Sequence, residues 1–387
     1  MKKITAVLII TLFCFNAFSQ DWPDWRGENR DAIWNEKGVV ERFPAPEMTP
    51  EWRVSVGPGY TGPTVAKGKV YMMDRQEDPE QKERVLCFDA ETGNPIWKHS
   101  YNCVYSGIGY QAGPRSSVVI NDGKAYSLGS MGHLYCFDAE TGKVIWKKVL
   151  NEEYKIDMPI WGIASTPLIV DEKIIVHASV ADNACVMAFN KNTGEEIWKN
   201  LNDRAGYSAP VLIEKNGTRV VVNWTEHSLS GLNPETGEIY WRFPWETGSG
   251  MSISTPVLYE GHIFVSAFYS GSLLVKLADD YKSAEKVWQR EGENERKTDA
   301  LHCVMNTPVI IGDYIYGVDS YGELRCLELA TGDRIWEDQT AVDRGRWANI
   351  HFIQKEEKTW MFNEHGELLI TELSPDGFHE ISRTKII

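Results

Sequence analysis

Eight aromatic and basic side chains are the residues of this chain whose chemistry could serve a binding site. Aromatic faces stack on flat ligands and attract cations, whereas arginine and histidine hold acidic groups. The eight candidates are Tyr60, Arg115, Trp161, Tyr207, His302, Arg346, Trp347 and His351. Together they are expected to bind a flat or acidic ligand.

The same residues also have structural interpretations, and no pattern typical of catalysis accompanies them. Arg115 can pair with an acid, while Trp161 and Tyr207 can pack between loops. His302 and His351 can be hydrogen-bonded structural histidines, because neither has a partner at metal-binding spacing. The chain contains no Cys-x-x-Cys, His-Glu-x-x-His, calcium-loop or Gly-x-Ser-x-Gly pattern. No catalytic residue and no metal ligand is therefore predicted.

A repeat reveals the elements that must position these residues. The stretch Asp138–Trp146 reads Asp-Ala-Glu-Thr-Gly-Lys-Val-Ile-Trp, and related stretches recur at intervals of 43 to 52 residues. The recurring tryptophans are Trp52, Trp97, Trp146, Trp198, Trp241, Trp288 and Trp336. Self-similarity at such a period is typical of stacked or radial arrays of one supersecondary unit.

The third repeat shows what the unit is. Its β-rich runs Thr166–Val170, Ile174–Val180, Cys185–Phe189 and Glu195–Leu201 are separated by short polar turns. This pattern predicts an antiparallel meander of four strands, named A to D in chain order. The Thr-Gly pair before the last run suits a C–D turn with glycine at positive φ.

The fold class predicted is an all-β propeller of four-stranded antiparallel blades. One such sheet cannot bury both faces alone, so the sheets must stack, and a large ring at a fixed position fills the wedge between neighbours. Seven tryptophans indicate seven blades. Glu51–Val56 is expected to be a spare D-like strand that completes the last blade, whose own fourth strand lies near Phe378–Lys385. Eight blades remain the alternative if these two strands belong to different sheets.

Propeller topology places the candidate residues on one face. Every D–A connection leaves an outer strand and enters the next inner strand, so all of them emerge beside the same channel mouth. The longest are Lys98–Arg115, Lys147–Ser165, Gln289–Asn306 and Glu337–Arg346. Long loops gathered on one face of a repeat array usually mark its binding face. The eight candidates stand close to the starts of the A strands that follow these connections.

The chain is expected to divide into a signal peptide (residues 1–19), an N-terminal extension (residues 20–50) and a single propeller domain (residues 51–387). Lys2 and Lys3, an apolar run and a small-residue cleavage site are typical of a secretory signal. Phe13 before Cys14 disfavours a lipoprotein signal. The predicted location is the bacterial periplasm or the exterior, and the apolar run is too short for a membrane span.

Charge and cysteine content limit the partners. The formal net charge of −15 disfavours nucleic acid and anionic membranes. Cys87, Cys136 and Cys326 occupy equivalent sites in different blades, too far apart for disulfides, and are expected to be small core residues. A bridge between Cys103 and Cys303 stays open as an alternative, and Cys185 is not constrained.

Two motifs resemble the PQQ-like (pyrroloquinoline-quinone-like) β-propeller proteins exported by bacteria. One is the Trp-Pro-x-Trp-Arg-Gly-x-x-Arg opening at Trp22–Arg30, and the other is the repeated Asp-Ala-x-Thr-Gly-x-x-x-Trp. The resemblance covers nearly the whole mature chain. It departs from the family at Asp31-Ala32, where such openings usually continue Asp-Gly.

Three functions are open, and the resemblance implies the first two. The first is a non-catalytic binding or scaffold module like the propeller subunit of outer-membrane protein assembly, with other envelope or exported proteins as partners. The second is a quinoprotein dehydrogenase with PQQ and Ca²⁺, but such enzymes carry adjacent cysteines, and this chain has no Cys-Cys pair. The third is a binder of carbohydrate or another small ligand at the channel mouth. The first is preferred, and no cofactor is expected.

Overall fold

A computed structural model describes residues 20–180 and 184–387. The predicted signal peptide, with Cys14, lies outside the described residues. So does the polar break Ala181–Asn183 in the third repeat. Among the residues described, no helix is long and apolar enough to cross a membrane.

Seven four-stranded antiparallel sheets make up the fold, each with its strands in chain order. The first four sheets contain β1 (Thr64–Ala66), β2 (Lys69–Gln76), β3 (Lys82–Asp89), β4 (Pro95–Asn102), β5 (Val119–Asn121), β6 (Lys124–Leu128), β7 (His133–Asp138), β8 (Val144–Val149), β9 (Leu168–Val170), β10 (Lys173–Val180), β11 (Ala184–Asn190), β12 (Glu196–Asn200), β13 (Val211–Lys215), β14 (Thr218–Trp224), β15 (Ser228–Leu232) and β16 (Ile239–Pro244). The last three contain β17 (Val257–Tyr259), β18 (His262–Ala267), β19 (Gly271–Leu277), β20 (Ala284–Arg290), β21 (Val309–Ile311), β22 (Tyr314–Val318), β23 (Leu324–Glu328), β24 (Arg334–Asp338), β25 (Ile350–Lys355), β26 (Lys358–Asn363), β27 (Glu367–Ser374) and β28 (Gly377–Lys385).

The predicted β-propeller of seven blades is confirmed. First strands of neighbouring blades contact each other, as β1 does with β5 and β9 with β13, so the A strands are innermost. A four-residue helix, α1 (Leu150–Glu153), and a 3₁₀ turn (Gly248–Gly250) lie in D–A loops and leave the blades intact. The D–A and B–C connections share one face, called the loop face below.

Two boundary predictions were wrong. Glu51–Val56 is not a strand and does not complete blade 7. All four strands of that blade come from the end of the chain, and the N-terminal extension contributes an isolated bridge between Glu47 and Lys385 of β28. The charge-rich stretch Asp74–Arg84, which the sequence predicts to be a long B–C loop of blade 1, is mostly paired strand. Asp74 lies opposite Arg84 across β2 and β3, and the two side chains form an ion pair at 2.5 Å.

The seven repeated tryptophans join each blade to the next. Every indole N–H donates a hydrogen bond to a backbone carbonyl at the C–D connection of the following blade, at 2.8–3.1 Å. In ring order from Trp52, the acceptors are Ala90, Ala139, Lys191, Pro234, Tyr281, Leu329 and Ser374. Trp52 donates to blade 1 and so closes the ring, although its own segment is not a strand.

The glycine of the Thr-Gly pair has two reasons to be glycine. In blade 2, Gly142 has φ +68°, which disfavours any residue with a Cβ. A Cβ there would also lie 2.6 Å from the Trp97 ring. The turn and the indole therefore depend on each other, which explains why they recur together.

The N-terminal segment enters the central channel. Trp22 pairs with Val65 of β1, and the Pro23 carbonyl accepts the backbone N–H of Ile120 in β5. The Trp25 indole donates to Thr255, before β17, at 2.8 Å. Further along, Trp34 donates to Gln354 of β25. A segment that contacts inner strands around the ring lies inside it. Residues 21–34 are called the plug below.

Arg30 anchors the plug. Its guanidinium, almost wholly buried, forms a bidentate pair with Asp24 at 2.9–3.0 Å. It also donates to the carbonyls of Thr166, Pro167 and Pro210, which belong to blades 3 and 4. The guanidinium N–H groups all donate to these acceptors, so this one side chain links the plug to two blades.

The six cysteines of the described chain are all buried and all carry free thiols. Cys87, Cys136 and Cys326 are fully buried in the blades, as small core residues would be. Cys103 and Cys303 are not bridged.

Candidate functional site

Tyr60 and Arg115 meet on the loop face, where Arg115 fixes its own loop. The Arg115 guanidinium carbon lies 5.1 Å from the Tyr60 ring centre. Its nitrogens donate to the carbonyls of Gly113, Gly109 and Tyr110 at 2.5–3.0 Å. Burial lowers the pKa of Arg115. Carbonyls rather than an acid satisfy this arginine, so it shapes the loop and keeps few donors for a ligand.

Trp161 and Tyr207 also meet. Their ring centres are 5.1 Å apart, and the Tyr207 hydroxyl oxygen accepts the Trp161 backbone N–H at 3.3 Å. Tyr110 extends the contact, with its ring centre 6.2 Å from that of Trp161. Tyr207 is buried, so Trp161 presents the accessible part of this pair.

Apolar side chains from several loops fill the mouth of the channel. Trp161 packs against a cluster of Met251, Phe268 and Val304. These residues come from the connections after blades 2, 4 and 5 and from the B–C turn of blade 5. Loops from separate blades therefore meet over the mouth, and the plug occupies the channel below them.

Arg346 and Trp347 form a second exposed group. The Arg346 guanidinium carbon lies 4.6 Å from the Trp347 ring centre and 5.8 Å from that of Phe268. Arg346 also pairs with Glu295 at 2.6 Å, and this hydrogen bond raises the pKa of the arginine. The Trp347 side chain remains 37% exposed, so an aromatic face is presented beside a fixed cation.

His302 is a structural residue. It is fully buried, and its Nε2 accepts the backbone N–H of Gly292 at 3.2 Å. Its Nδ1 must then carry the proton, which it donates to the Phe268 carbonyl at 2.9 Å. Both ring nitrogens are occupied, so His302 offers nothing to a ligand.

His351 lies on the inner strand β25 beside the plug. Its ring meets Trp25 edge to face at 6.4 Å, and its Nε2 lies 3.3 Å from the Asn349 amide nitrogen. Solvent reaches the imidazole, yet the protein around it and the nearby Arg26 lower its pKa to about 4, desolvation having the larger effect. Burial also lowers the pKa of Arg26 to about 10. His351 is therefore neutral at pH 7.

The buried imidazole of His177 predicts that the protein loses stability in acid. This fully buried residue bonds to Asn223 at 2.9 Å, and desolvation lowers its pKa from 6.5 to about 4. Below pH 6.5 the unfolded chain gains a proton that the folded chain refuses, so stability falls as the pH drops to about 4. His177 should account for about 3 kcal/mol of that loss.

Urea unfolding of wild type and His177→Gln across pH 4–7 measures this contribution. The variant should lose less free energy of unfolding over that range. Equal losses in the two proteins would show that His177 is not neutral in the folded state.

The eight predicted residues therefore form two groups and two separate positions. Tyr60 and Arg115 connect to Trp161 and Tyr207, and Arg346 lies beside Trp347. Phe268 links the groups, because Trp161 packs on its cluster and Arg346 lies over its ring. His302 and His351 lie apart in the core and the channel.

Sequence reasoning missed several residues of this face. Phe268, Tyr269 and Glu295 escaped notice because none belongs to a motif, although the B–C turn at Ser270-Gly271 would have placed the first two on the loop face. The plug residue Arg30 was noticed only as part of a family motif. Its contacts span 136 to 180 residues of chain, which no local pattern encodes.

Two shallow cavities lie away from the mouth, along the outer edge of blade 7. One has a volume of about 210 Å³ and is lined by residues 47–50, 53 and 385–387. The other has a volume of about 360 Å³ and is lined by residues 42–46 and 380–383. Both separate the N-terminal extension from β28 and neither reaches the eight predicted residues.

The fold and the loop face define a PQQ-like β-propeller repeat protein. A model of the family described as "Outer membrane protein assembly factor BamB" matches residues 81–338. The match covers more than half of the chain, and the chain belongs to this family.

Individual relatives include both an assembly factor and an enzyme. The chain is 24% identical to outer membrane protein assembly factor BamB of Yersinia pestis over 346 residues, which are 82% of this chain and 79% of that protein. It is 27% identical to 1-butanol dehydrogenase (cytochrome c) of Thauera butanivorans over 121 residues, which are 30% of this chain and only 17% of that protein.

Solved structures show the same two resemblances at the level of the fold. BamB from Moraxella catarrhalis matches with a TM-score of 0.57 and 16% identity, covering 84% of this chain and 85% of that one. Quinohemoprotein alcohol dehydrogenase from Comamonas testosteroni matches with a TM-score of 0.63 and 14% identity, covering 96% and 74%. Identities this low carry the fold and nothing further.

The described residues give no residue-level match to a site for PQQ with Ca²⁺. Calcium takes six to eight oxygen ligands, whereas two acids of the loop face are already paired, Glu295 with Arg346 and Asp319 with Arg325. The one group of three close metal-binding side chains found among the described residues offers a single carboxylate beside a thiol and an imidazole. Apolar side chains of several loops pack together over the channel mouth.

Proposed function

We propose that the protein is an exported binding module that engages a protein partner of the bacterial cell envelope through its loop face, in outer-membrane protein assembly. One observation carries this proposal: a continuous ridge of aromatic and arginine side chains crosses that face. The ridge consists of Tyr60, Tyr110, Arg115, Trp161, Tyr269, Arg346 and Trp347, and the buried Phe268 ring joins its two halves from below.

The composition of the ridge suits a protein partner. Tyrosine, tryptophan and arginine dominate the energetics of protein–protein interfaces. Tyr60 is 49% exposed and Tyr110 is 59% exposed, and Ile160 and Met305 add exposed apolar area nearby. The arginines are held by carbonyls or Glu295, so little side-chain entropy is lost when a partner binds. Family membership supports a role in assembly, and the periplasm is the compartment proposed.

A small ligand at the mouth is the weaker alternative. Such sites are concave and enclose most of the ligand, but Trp161 and its apolar neighbours fill the mouth. A ridge, in contrast, can insert into a groove on another protein.

Site-specific crosslinking tests the proposal. A photo-reactive residue at Tyr110 or Trp347, introduced in the native host, should capture an outer-membrane assembly protein that mass spectrometry identifies. The double variant Tyr110→Ser/Trp347→Ser should weaken binding of that purified partner by at least about 30-fold, since interface anchors contribute 2 kcal/mol or more.

Exposed residues on the outer strands provide the matched control. Ile197 and Ile335 are 44% and 47% exposed and lie on β12 and β24, away from the loop face. The double variant Ile197→Ser/Ile335→Ser should bind the partner like wild type. Equal losses in both variants, or crosslinks only from β12 and β24, would show that the loop face is not the interface.

A further inference from the structure

Glu83, Cys103 and His133 converge between blades 1 and 2 at the loop face. Glu83 lies near the start of β3, Cys103 directly follows β4, and His133 begins β7. One carboxylate oxygen, the thiol sulfur and one imidazole nitrogen all lie within 4.8 Å of one another. Cys103 Sγ is 3.8 Å from His133 Nδ1.

The Glu83 carboxylate lacks a basic partner. It is fully buried, and no lysine, arginine or histidine of the described chain forms an ion pair with it. Each other buried acid has an arginine. The pairs are Asp24–Arg30, Asp74–Arg84, Asp203–Arg242, Asp319–Arg325 and Glu323–Arg344. Arg75, opposite Glu83 across β2 and β3, and Arg115 lie near the carboxylate, but neither forms a direct ion pair with it. A buried carboxylate without a directly paired cation is costly, and a bound metal ion would provide one.

Hydrogen bonds hold the Glu83 carboxylate in a fixed orientation. The hydroxyls of Tyr101 and Tyr105 donate to it at 2.7 and 2.5 Å, and the Ser130 backbone N–H donates at 3.0 Å. Gly129 leaves space for this arrangement, because a Cβ there would overlap the carboxylate and lie 2.6 Å from the Tyr101 hydroxyl. Hydrogen-bond donors of this kind fix the orientation of a carboxylate that binds a metal ion.

We propose that Glu83, Cys103 and His133 form a binding site for a divalent metal ion of the zinc class. Thiolate and imidazole together favour Zn²⁺ over Ca²⁺ or Mg²⁺. Zinc bonds of about 2.0–2.3 Å place tetrahedral ligand atoms closer than 4 Å to each other, so the three side chains need only small movements. The ion would give the Glu83 carboxylate the direct cationic partner that it lacks.

Protonation is consistent with this site. Burial lowers the pKa of His133, so its ring is neutral and has a lone pair at pH 7. Burial raises the pKa of the Cys103 thiol, so metal binding must displace the thiol proton to solvent. His133 is only half-buried, which leaves a path for the ion and a fourth position for water.

Metal analysis of the full protein tests the proposal. Purified protein, equilibrated with Zn²⁺ and dialysed, should retain one ion per chain. Co²⁺ should produce the charge-transfer absorption of a thiolate ligand. Cys103→Ser should abolish that absorption and weaken Zn²⁺ binding by at least about 100-fold, and Tyr105→Phe should weaken it by about 10–100-fold through loss of the donor to Glu83.

Two substitutions outside the cluster serve as controls. Cys303 is equally buried but distant, and His99 stacks near Tyr101 without joining the cluster. Cys303→Ser and His99→Gln should keep one ion and the cobalt absorption. Circular dichroism without metal establishes that each variant folds. Wild-type protein that retains no zinc, or zinc retained equally by a folded Cys103→Ser variant, would overturn the proposal.

Discussion

Arg30→Met is expected to lower the free energy of unfolding by about 3–5 kcal/mol, the range for breaking a buried ion pair on one side. Arg30 is 4% exposed, and its removal leaves the Asp24 carboxylate buried without a cation. It also leaves the carbonyls of Thr166, Pro167 and Pro210 without their donor. Denaturant unfolding at pH 7 measures the loss.

The Asp24 carboxyl provides the internal check. Burial raises its pKa, and Arg30 acts against that rise. Without Arg30 the carboxyl should take up a proton, so the variant should regain some stability as the pH falls. The double variant Asp24→Asn/Arg30→Met should be more stable at pH 7 than Arg30→Met alone, because no buried charge remains.

Exposed Arg42, in the same N-terminal extension, is the matched control. Arg42→Met should change the free energy of unfolding by no more than about 0.5 kcal/mol. Hydrogen exchange should show residues 21–34 less protected in Arg30→Met than in wild type. If both arginine variants were equally stable, the plug would contribute nothing to the closed ring.

The repeat predicted the ring because one set of residues both defines the period and makes the inter-blade contact. An indole such as Trp97 and a turn glycine such as Gly142 are needed in every blade for the same local reason. The strand prediction for Glu51–Val56 failed for a related reason. Trp52 makes the same contact as the other indoles through Ala90, and that contact does not require its segment to be a strand.

Contacts that are made at one place in the molecule, rather than in every blade, could not be predicted from the sequence. Apart from Asp24, Arg30 donates to backbone carbonyls. Every residue carries a carbonyl, so the sequence does not show which residues accept these hydrogen bonds. Glu83, Cys103 and His133 lie 20 and 30 residues apart, which is not a metal-ligand spacing of a single element. They meet only because adjacent blades bring β3, β4 and β7 to one edge. The loop-face position of Arg115 was predictable, whereas its carbonyl partners were not.

Trp198→Ala is expected to cost about 3–5 kcal/mol in the free energy of unfolding, the usual loss for truncating a buried tryptophan. Trp198 is 7% exposed and donates to the Pro234 carbonyl of blade 4 at 3.0 Å. Removing the ring leaves a cavity between blades 3 and 4 and an unpaired carbonyl. Trp347→Ala, at an exposed tryptophan of the loop face, should cost far less, and denaturant unfolding of both variants measures the difference.

The turn glycine opposite Trp198 shows whether the indole acts by wedging the blades. Gly237 has φ +73°, and a Cβ there would lie 2.5 Å from the Trp198 ring. Gly237→Ala should therefore destabilise wild type through both strain and overlap, but the Trp198→Ala background through strain alone. A double-mutant cycle should give a coupling of about 0.5–3 kcal/mol. Strict additivity would mean that the turn and the ring do not press on each other, and the recurrence of the pair would need another cause.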